Sequence, residues 1–100
     1  MARVPSAAAR AIGERIRSRR ASLQWTQDDL SEHSGIDAAN IRSYENGNAL
    51  MSLFSLVRIA EALDAKPGDL LDGVTVDMFP STRVQAELPA DAPRRGAARG

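Results

Sequence analysis

The chain contains no cysteine among its 100 residues. That excludes a disulfide framework and any thiolate metal centre. It has a single histidine, His33. A histidine-built metal cage is therefore excluded, and nothing orders serine, aspartate and His33 as a triad. There is no glycine-rich phosphate loop. No catalytic residue, metal or cofactor is expected, and the chain is not read as an enzyme. No apolar run approaches the roughly 20 residues that span a bilayer. Residues 1–7 carry Pro5 and lack the apolar segment of a secretory signal. The default expectation is a cytoplasmic protein with no membrane partner. Net charge is also missing, since 13 Lys+Arg balance 13 Asp+Glu. Any attraction to a polyanion must then come from how the charges are distributed, not from their sum.

The distribution is uneven. Arg10, Arg15, Arg17, Arg19 and Arg20 crowd one segment, and the acids gather at 28–37 and 61–72. Residues 8–22 are rich in Ala and Arg, which favour helix, with Ile12 and Ile16 on one side. Thr26 followed by Asp29 resembles a capping box and opens a second helix. Trp25 just before it reads as a hydrophobic staple onto Leu30 or its neighbours, and His33 near its end reads as exposed. Gly35 then permits a positive φ, and Asp37 is a suitable N-cap for a third helix that stops at Asn46-Gly47. In that third helix Ile41, Tyr44 and Glu45 fall on one side. At about 100° per residue, Ala39 and Ser43 point almost opposite, flanked by Asn40 and Arg42. A helix that buries a narrow stripe and presents small and hydrogen-bonding groups outward can lie in a groove.

Residues 53–64 form an amphipathic pattern with Leu53, Leu56, Val57, Ala60 and Leu63 on one stripe, widened by Ile59, and with Ser52 as its cap. Pro67 suits the first turn of a short fifth helix, Leu70 and Leu71 close the core, and Gly73 ends it. Val74, Val76 and Met78 then alternate with Thr75, Asp77 and Phe79, a short strand signal. A lone strand must pair with a second copy, lie as an arm, or add to another protein. From 81 onward the chain is Ala/Pro/Arg/Gly-rich and is expected to be disordered.

Taken in order, Thr26-Gln27-x-x-Leu30, Gly35-Ile36-Asp37, Ile41, Glu45-Asn46-Gly47 and Ser52-Leu53-x-x-Leu56-x-x-Ile59-Ala60-x-Ala62-Leu63 resemble the Cro and phage-repressor (XRE, xenobiotic response element) helix-turn-helix family. The resemblance covers roughly residues 8–72. It implies an all-α, five-helix lambda-repressor-like domain at 8–72, after a flexible arm at 1–7. A dimerisation strand or arm at 73–80 and a disordered tail at 81–100 complete the expected organisation. It also implies a sequence-specific DNA-binding transcriptional regulator, a homodimeric repressor reading a near-palindromic operator on double-stranded DNA with helix 37–46 in the major groove.

The resemblance assigns roles residue by residue. Arg20 pairs with Glu45 and ties the first helix to the third. Gln27 bonds a DNA phosphate from the first turn of the second helix, and Asn46 touches phosphate as well. Ala38 and Ala39 occupy the leading reading positions, where alanine can only pack on a thymine methyl or admit the backbone. Polar readout falls to Arg42, Asn40 and Ser43. For Arg42 a guanine edge and a phosphate remain equal alternatives. The loop 48–52 has no Lys or Arg, and Met51 stands where the family often has proline. Leu50 and Met51 are either dimer contact or local core, and Val74, Val76 and Met78 are the expected dimer arm. The competing reading is an antitoxin-like or regulatory binding module whose main partner is another protein.

Overall fold

The computed structural model describes residues 6–80. The expected N-terminal arm, apart from Ser6 and Ala7, and the expected tail lie outside the described residues. Five α-helices follow one another: α1 (Ala7–Ser22), α2 (Gln27–Ser34), α3 (Ala38–Glu45), α4 (Leu53–Ala62) and α5 (Pro67–Leu71). No described helix is long and apolar enough to cross a membrane.

Local chemistry sets most of the boundaries. Ser6 Oγ accepts from the Ala9 amide at 3.1 Å and starts α1. At α2, Thr26 Oγ1 accepts from the Asp29 amide at 3.0 Å while Asp29 Oδ2 accepts from the Thr26 amide at 2.8 Å, a reciprocal cap. Gly35, at φ +76°, ends α2 in the left-handed conformation that a Cβ resists. Ser52 Oγ accepts from the Ser55 amide at 3.1 Å and caps α4. Pro67 opens α5.

Asp37 departs from expectation. It occupies the N-cap position of α3 but makes no side-chain cap bond. The turn is fixed from α2 instead. Ser31 Oγ donates to the Ile36 carbonyl at 2.6 Å, and the Ile36 amide donates to Ser34 Oγ at 3.1 Å.

Each helix gives the core one large, fully buried aliphatic side chain: Ile16, Leu30, Ile41, Ile59 and Leu70. Burying each contributes about 1.5–3 kcal/mol relative to exposure. Helix α1 packs on α3 and α5, α2 packs on α3 and α4, and α4 packs on α5. The helix-turn-helix α2–α3 is thus clamped from both sides by the rest of the domain.

The apolar pattern overstates the core in two places. Leu53 lies on the expected stripe of α4 but is 74% exposed, and Leu71 is only partly covered; Phe54, which lies off that stripe, is 67% exposed. Periodicity fixes which side of a helix is apolar, not whether another element lies opposite it. Leu53 and Leu71 instead line an apolar groove with Leu50, Met51 and Phe79.

The expected strand at 74–80 is replaced by a 3-10 turn, Val76–Met78, and no strand occurs among the described residues. With no neighbouring strand to bond, the segment satisfies its backbone locally: the Met78 amide donates to Thr75 O at 3.0 Å and the Phe79 amide to Val76 O at 3.1 Å.

Candidate nucleic-acid interface

Helix α3 buries Ile41, Tyr44 and Glu45 and leaves Ala39, Asn40, Arg42 and Asn46 exposed, with Ala38 half-covered. Its outer face is therefore small near the start and polar further on. Ser43 corrects the helical-wheel expectation, because it is only 8% exposed. The chain leaving α3 folds back at its end, so that Gly47 takes φ +74° and the Asn48 amide donates to the Ser43 carbonyl at 3.0 Å. Ser43 becomes part of a shallow concavity of about 230 Å³ that Ala39, Arg42, Asn46 and Asn48 also line. Asn48 carried no sequence signal as a site residue. It belongs here because the turn at Gly47 returns it beside α3.

The orientation of α3 is held by Glu45, whose side chain is fully buried. Arg20 Nε donates to Glu45 Oε2 at 2.6 Å and Arg20 Nη2 donates to Oε1 at 2.9 Å, a two-pronged pair. Arg20 Nη1 donates to the Trp25 carbonyl at 2.7 Å, so one guanidinium joins the end of α1, the α1–α2 loop and the end of α3. Hydrogen bonding to Glu45 holds the Arg20 guanidinium above its ordinary pKa; partial burial opposes this, and the charge of Glu45 adds to it. Arg17 Nη2 donates to the Glu45 carbonyl at 3.0 Å and caps the end of α3, although its charge lies 3.9 Å from the carboxylate.

Gln27 joins this network, which the sequence did not indicate. Its Nε2 donates to Glu45 Oε1 at 3.0 Å. The side chain that family resemblance assigns to phosphate is thus positioned by the same carboxylate that Arg20 holds. A phosphate offers only acceptors, so the remaining Gln27 amide N–H is the group suited to it.

Two further contacts frame the turn. Arg58 of α4 donates from Nε to the Ser34 carbonyl at 2.7 Å, and its guanidinium lies 5.4 Å from the Phe54 ring centroid. No sequence pattern pointed to Arg58. Trp25 is half-buried against the core, as a staple requires, and its ring stacks on His33 at 4.1 Å between centroids. Among the sequence-expected dimer residues, Met51 and Val74 pack partly on the protein's own core, Leu50 and Met78 are partly covered, and Val76 is 86% exposed. No group of acidic or histidine side chains suited to a metal occurs among the described residues.

Five helices around an aliphatic core, with the third tied to the first by a buried ion pair and joined to the second by a tight glycine turn, define a helix-turn-helix domain. The family model described as a helix-turn-helix domain matches residues 11–73. The chain belongs to that family, in its Cro and phage-repressor-like (XRE) branch. It is 32% identical over 59 residues to the cryptic phage CTXphi transcriptional repressor RstR of Vibrio cholerae; the match takes in 59% of this chain and 53% of that protein. The chain thus spans about half the length of that relative. Among solved structures, the restriction-modification controller protein C.AhdI from Aeromonas hydrophila is similar, with 31% identity and a TM-score of 0.60 over 62% of this chain and 94% of that one. The P22 c2 repressor, solved with a synthetic operator, is 32% identical with a TM-score of 0.59, again over 62% and 94% of the two chains.

Proposed function

We propose that the protein is a sequence-specific DNA-binding transcriptional regulator, a homodimeric repressor that reads a near-palindromic operator with α3 in the major groove. The observation that carries this reading is the Arg20–Glu45–Gln27 network. It fixes α3 against α1 while leaving Ala39, Asn40, Arg42 and Asn46 outward. Phosphates would be met by Gln27 and the amides at the start of α2, by Asn46, and by Arg10, which is exposed and lies against Gly47. The repressor assignment draws on the likeness to RstR and to the operator-bound P22 c2 repressor. In this reading residues 8–72 form the DNA-binding unit. The dimer face is the apolar groove with Leu53, Phe54 and Val76, supported by the segment 73–80.

A second reading is favoured by that same apolar face: a regulatory or antitoxin-like module that grips another protein through Leu53 and Phe54, which are 74% and 67% exposed. Selection from a randomised duplex pool at two salt concentrations, with mass measured by light scattering, separates the two. The DNA reading expects enrichment of an inverted repeat with half-sites about one helical turn apart, bound by a dimer and weakening steeply with salt. No enriched sequence, with no binding even at low salt, would move the function to the protein-partner reading.

A further inference from the structure

We propose that Arg58 is a positioning residue that couples the apolar dimer face to the start of α3. The proposal rests on the homodimeric DNA-binding function above and names the side chain through which pairing of two copies reaches the operator. Phe54 and Arg58 lie one turn apart on α4, and the guanidinium carbon sits 5.4 Å from the Phe54 ring centroid. Arg58 Nε also donates to the Ser34 carbonyl at 2.7 Å. That carbonyl belongs to the last turn of α2, where helix carbonyls lack an intrahelical partner and a cation suits the helix dipole. No carboxylate lies within ion-pair distance of Arg58 among the described residues, although Glu61 lines the same hollow beside His33 and Ser34. The guanidinium is thus held by the α2–α3 turn and by the Phe54 ring.

The turn that Arg58 grips orients the start of α3. Ser34 is buried, and its Oγ accepts from the Ile36 amide at 3.1 Å, while the Ile36 carbonyl accepts from Ser31 Oγ at 2.6 Å. Asp37 adds no cap bond. The first turn of α3, which carries Ala39 and Asn40, therefore takes its direction from this turn and not from a cap of its own. Nothing separates Arg58 from the backbone there, since a methyl at Gly35 would come within 2.7 Å of Nη2. A guanidinium bonded this closely constrains the turn, and the turn constrains it. Phe54 is largely exposed in the single chain. A cation over an aromatic face is held weakly in water, and excluding water strengthens the contact. A second copy seated on Leu53 and Phe54 excludes that water, fixes Arg58 over the ring, and so fixes the Ser34 carbonyl and the start of α3. Linkage makes the effect reciprocal: a half-site bound to α3 tightens the dimer by the same factor.

The test uses the full chain and a duplex holding a single half-site of the selected operator. Only one protomer binds such a duplex, so the second copy adds no avidity. Leu53→Asp separates the copies and leaves Phe54 and Arg58 in place. Sedimentation equilibrium gives the mass of each variant, and stoichiometric titration gives its active fraction. The expected result is that Leu53→Asp weakens half-site binding about fivefold in the wild-type background. Arg58→Ala binds at the weakened level. So does Phe54→Leu, which keeps the apolar bulk but gives up the aromatic face. Adding Leu53→Asp to either changes nothing further, whereas Phe54→Tyr, which keeps the ring, retains the fivefold step. A step absent in the wild type, or equal in all backgrounds, would overturn the coupling and leave the homodimeric reader standing. A wild type that binds the half-site as a monomer, or a Leu53→Asp variant that remains a dimer, would overturn the assigned dimer face and the coupling together. A pool that yields no selected duplex would overturn the DNA-binding function as well.

Discussion

Gly13 lies directly against the carbonyl oxygen of Tyr44. A methyl group at Gly13 would run into that oxygen and come within 2.9 Å of the Glu45 carbonyl. The missing side chain is what lets α1 lie on the C-terminal end of α3. Gly13→Ala is therefore expected to destabilise the fold by about 1–3 kcal/mol through overpacking, although alanine favours helix by about 1 kcal/mol. Gly68 is the control, since nothing lies within 4 Å of a methyl placed there. Gly68→Ala is expected to leave stability unchanged or raise it slightly. Thermal unfolding of the two variants checks the opposite signs, and a stable Gly13→Ala would contradict the packing argument.

Arg20 and Arg17 both approach Glu45 but should not matter equally. Arg20→Ala strands a fully buried carboxylate and is expected to cost about 3–5 kcal/mol. Arg17, 49% exposed and 3.9 Å from the carboxylate, should cost under about 1 kcal/mol when replaced by alanine. The raised pKa of Arg20 fixes the sign of the alkaline response. Its contribution is fully present below the unfolded guanidinium value and is lost only as pH rises through the still higher folded one. From about pH 7 to about pH 10, far below guanidinium titration, the stability gap between the wild type and Arg20→Met should stay level. Urea unfolding across that range measures it, and a gap that closes within the window would count against the assignment.

Gly35 and Arg58 are coupled across the turn. Gly35 has φ +76°, and a methyl there would come within 2.7 Å of Arg58 Nη2. Gly35→Ala is expected to cost about 1–2 kcal/mol from the backbone alone, and more while Arg58 stays bonded to Ser34. Combining it with Arg58→Ala should recover part of the loss, because the second change removes the obstructing guanidinium. A double-mutant cycle from denaturant unfolding reads this as non-additivity. Strict additivity would show that the side chain simply moves aside.

Arg42 and Gln27 should fail in different ways. Arg42 is exposed, so Arg42→Ala should leave stability within about 0.5 kcal/mol. If it bonds a guanine it should cost about 1–3 kcal/mol in operator binding and relax preference at one base pair. Gln27→Ala should weaken all duplexes alike and also reduce stability, because Glu45 loses a hydrogen bond. Binding titrations on selected and scrambled duplexes, paired with melting curves, separate the two patterns. Selective loss at one base in Gln27→Ala would contradict a phosphate role.

Leu53 and Phe54 carry the dimer prediction. Both are largely exposed in the single chain, so Leu53→Asp with Phe54→Ser should leave the folded domain intact. In solution the same double variant is expected to shift the mass from dimer to monomer by sedimentation equilibrium. A dimer that survives would place the contact elsewhere.

Much of this architecture is local and therefore legible in the amino-acid order. The reciprocal cap of Thr26 and Asp29, the left-handed Gly35, Ser52 and Pro67 act within a few residues of themselves, and they set the helix boundaries. The stripe of Ile12, Ile16, Ile41, Leu56, Ile59 and Leu70 fixes which sides face inward. Family resemblance supplied the Arg20–Glu45 pair, which spacing alone does not reveal.

What the sequence could not determine depends on which element lies opposite which. Leu53 shares its stripe with buried residues yet is 74% exposed, because none of the described helices covers the first turn of α4. Ser43 points outward on a helical wheel yet is covered, because the chain turns back at Gly47. Val74, Val76 and Met78 alternate like a strand, but an edge needs a partner, and the backbone closed on itself in a 3-10 turn. Gly13, Gln27 and Arg58 gained their roles from distant residues brought close. Local hydrogen bonding and periodicity specify the pieces of this protein, while only the packing of α1 on α3 and of α4 on α2 and α5 decides which surfaces remain free to recognise anything.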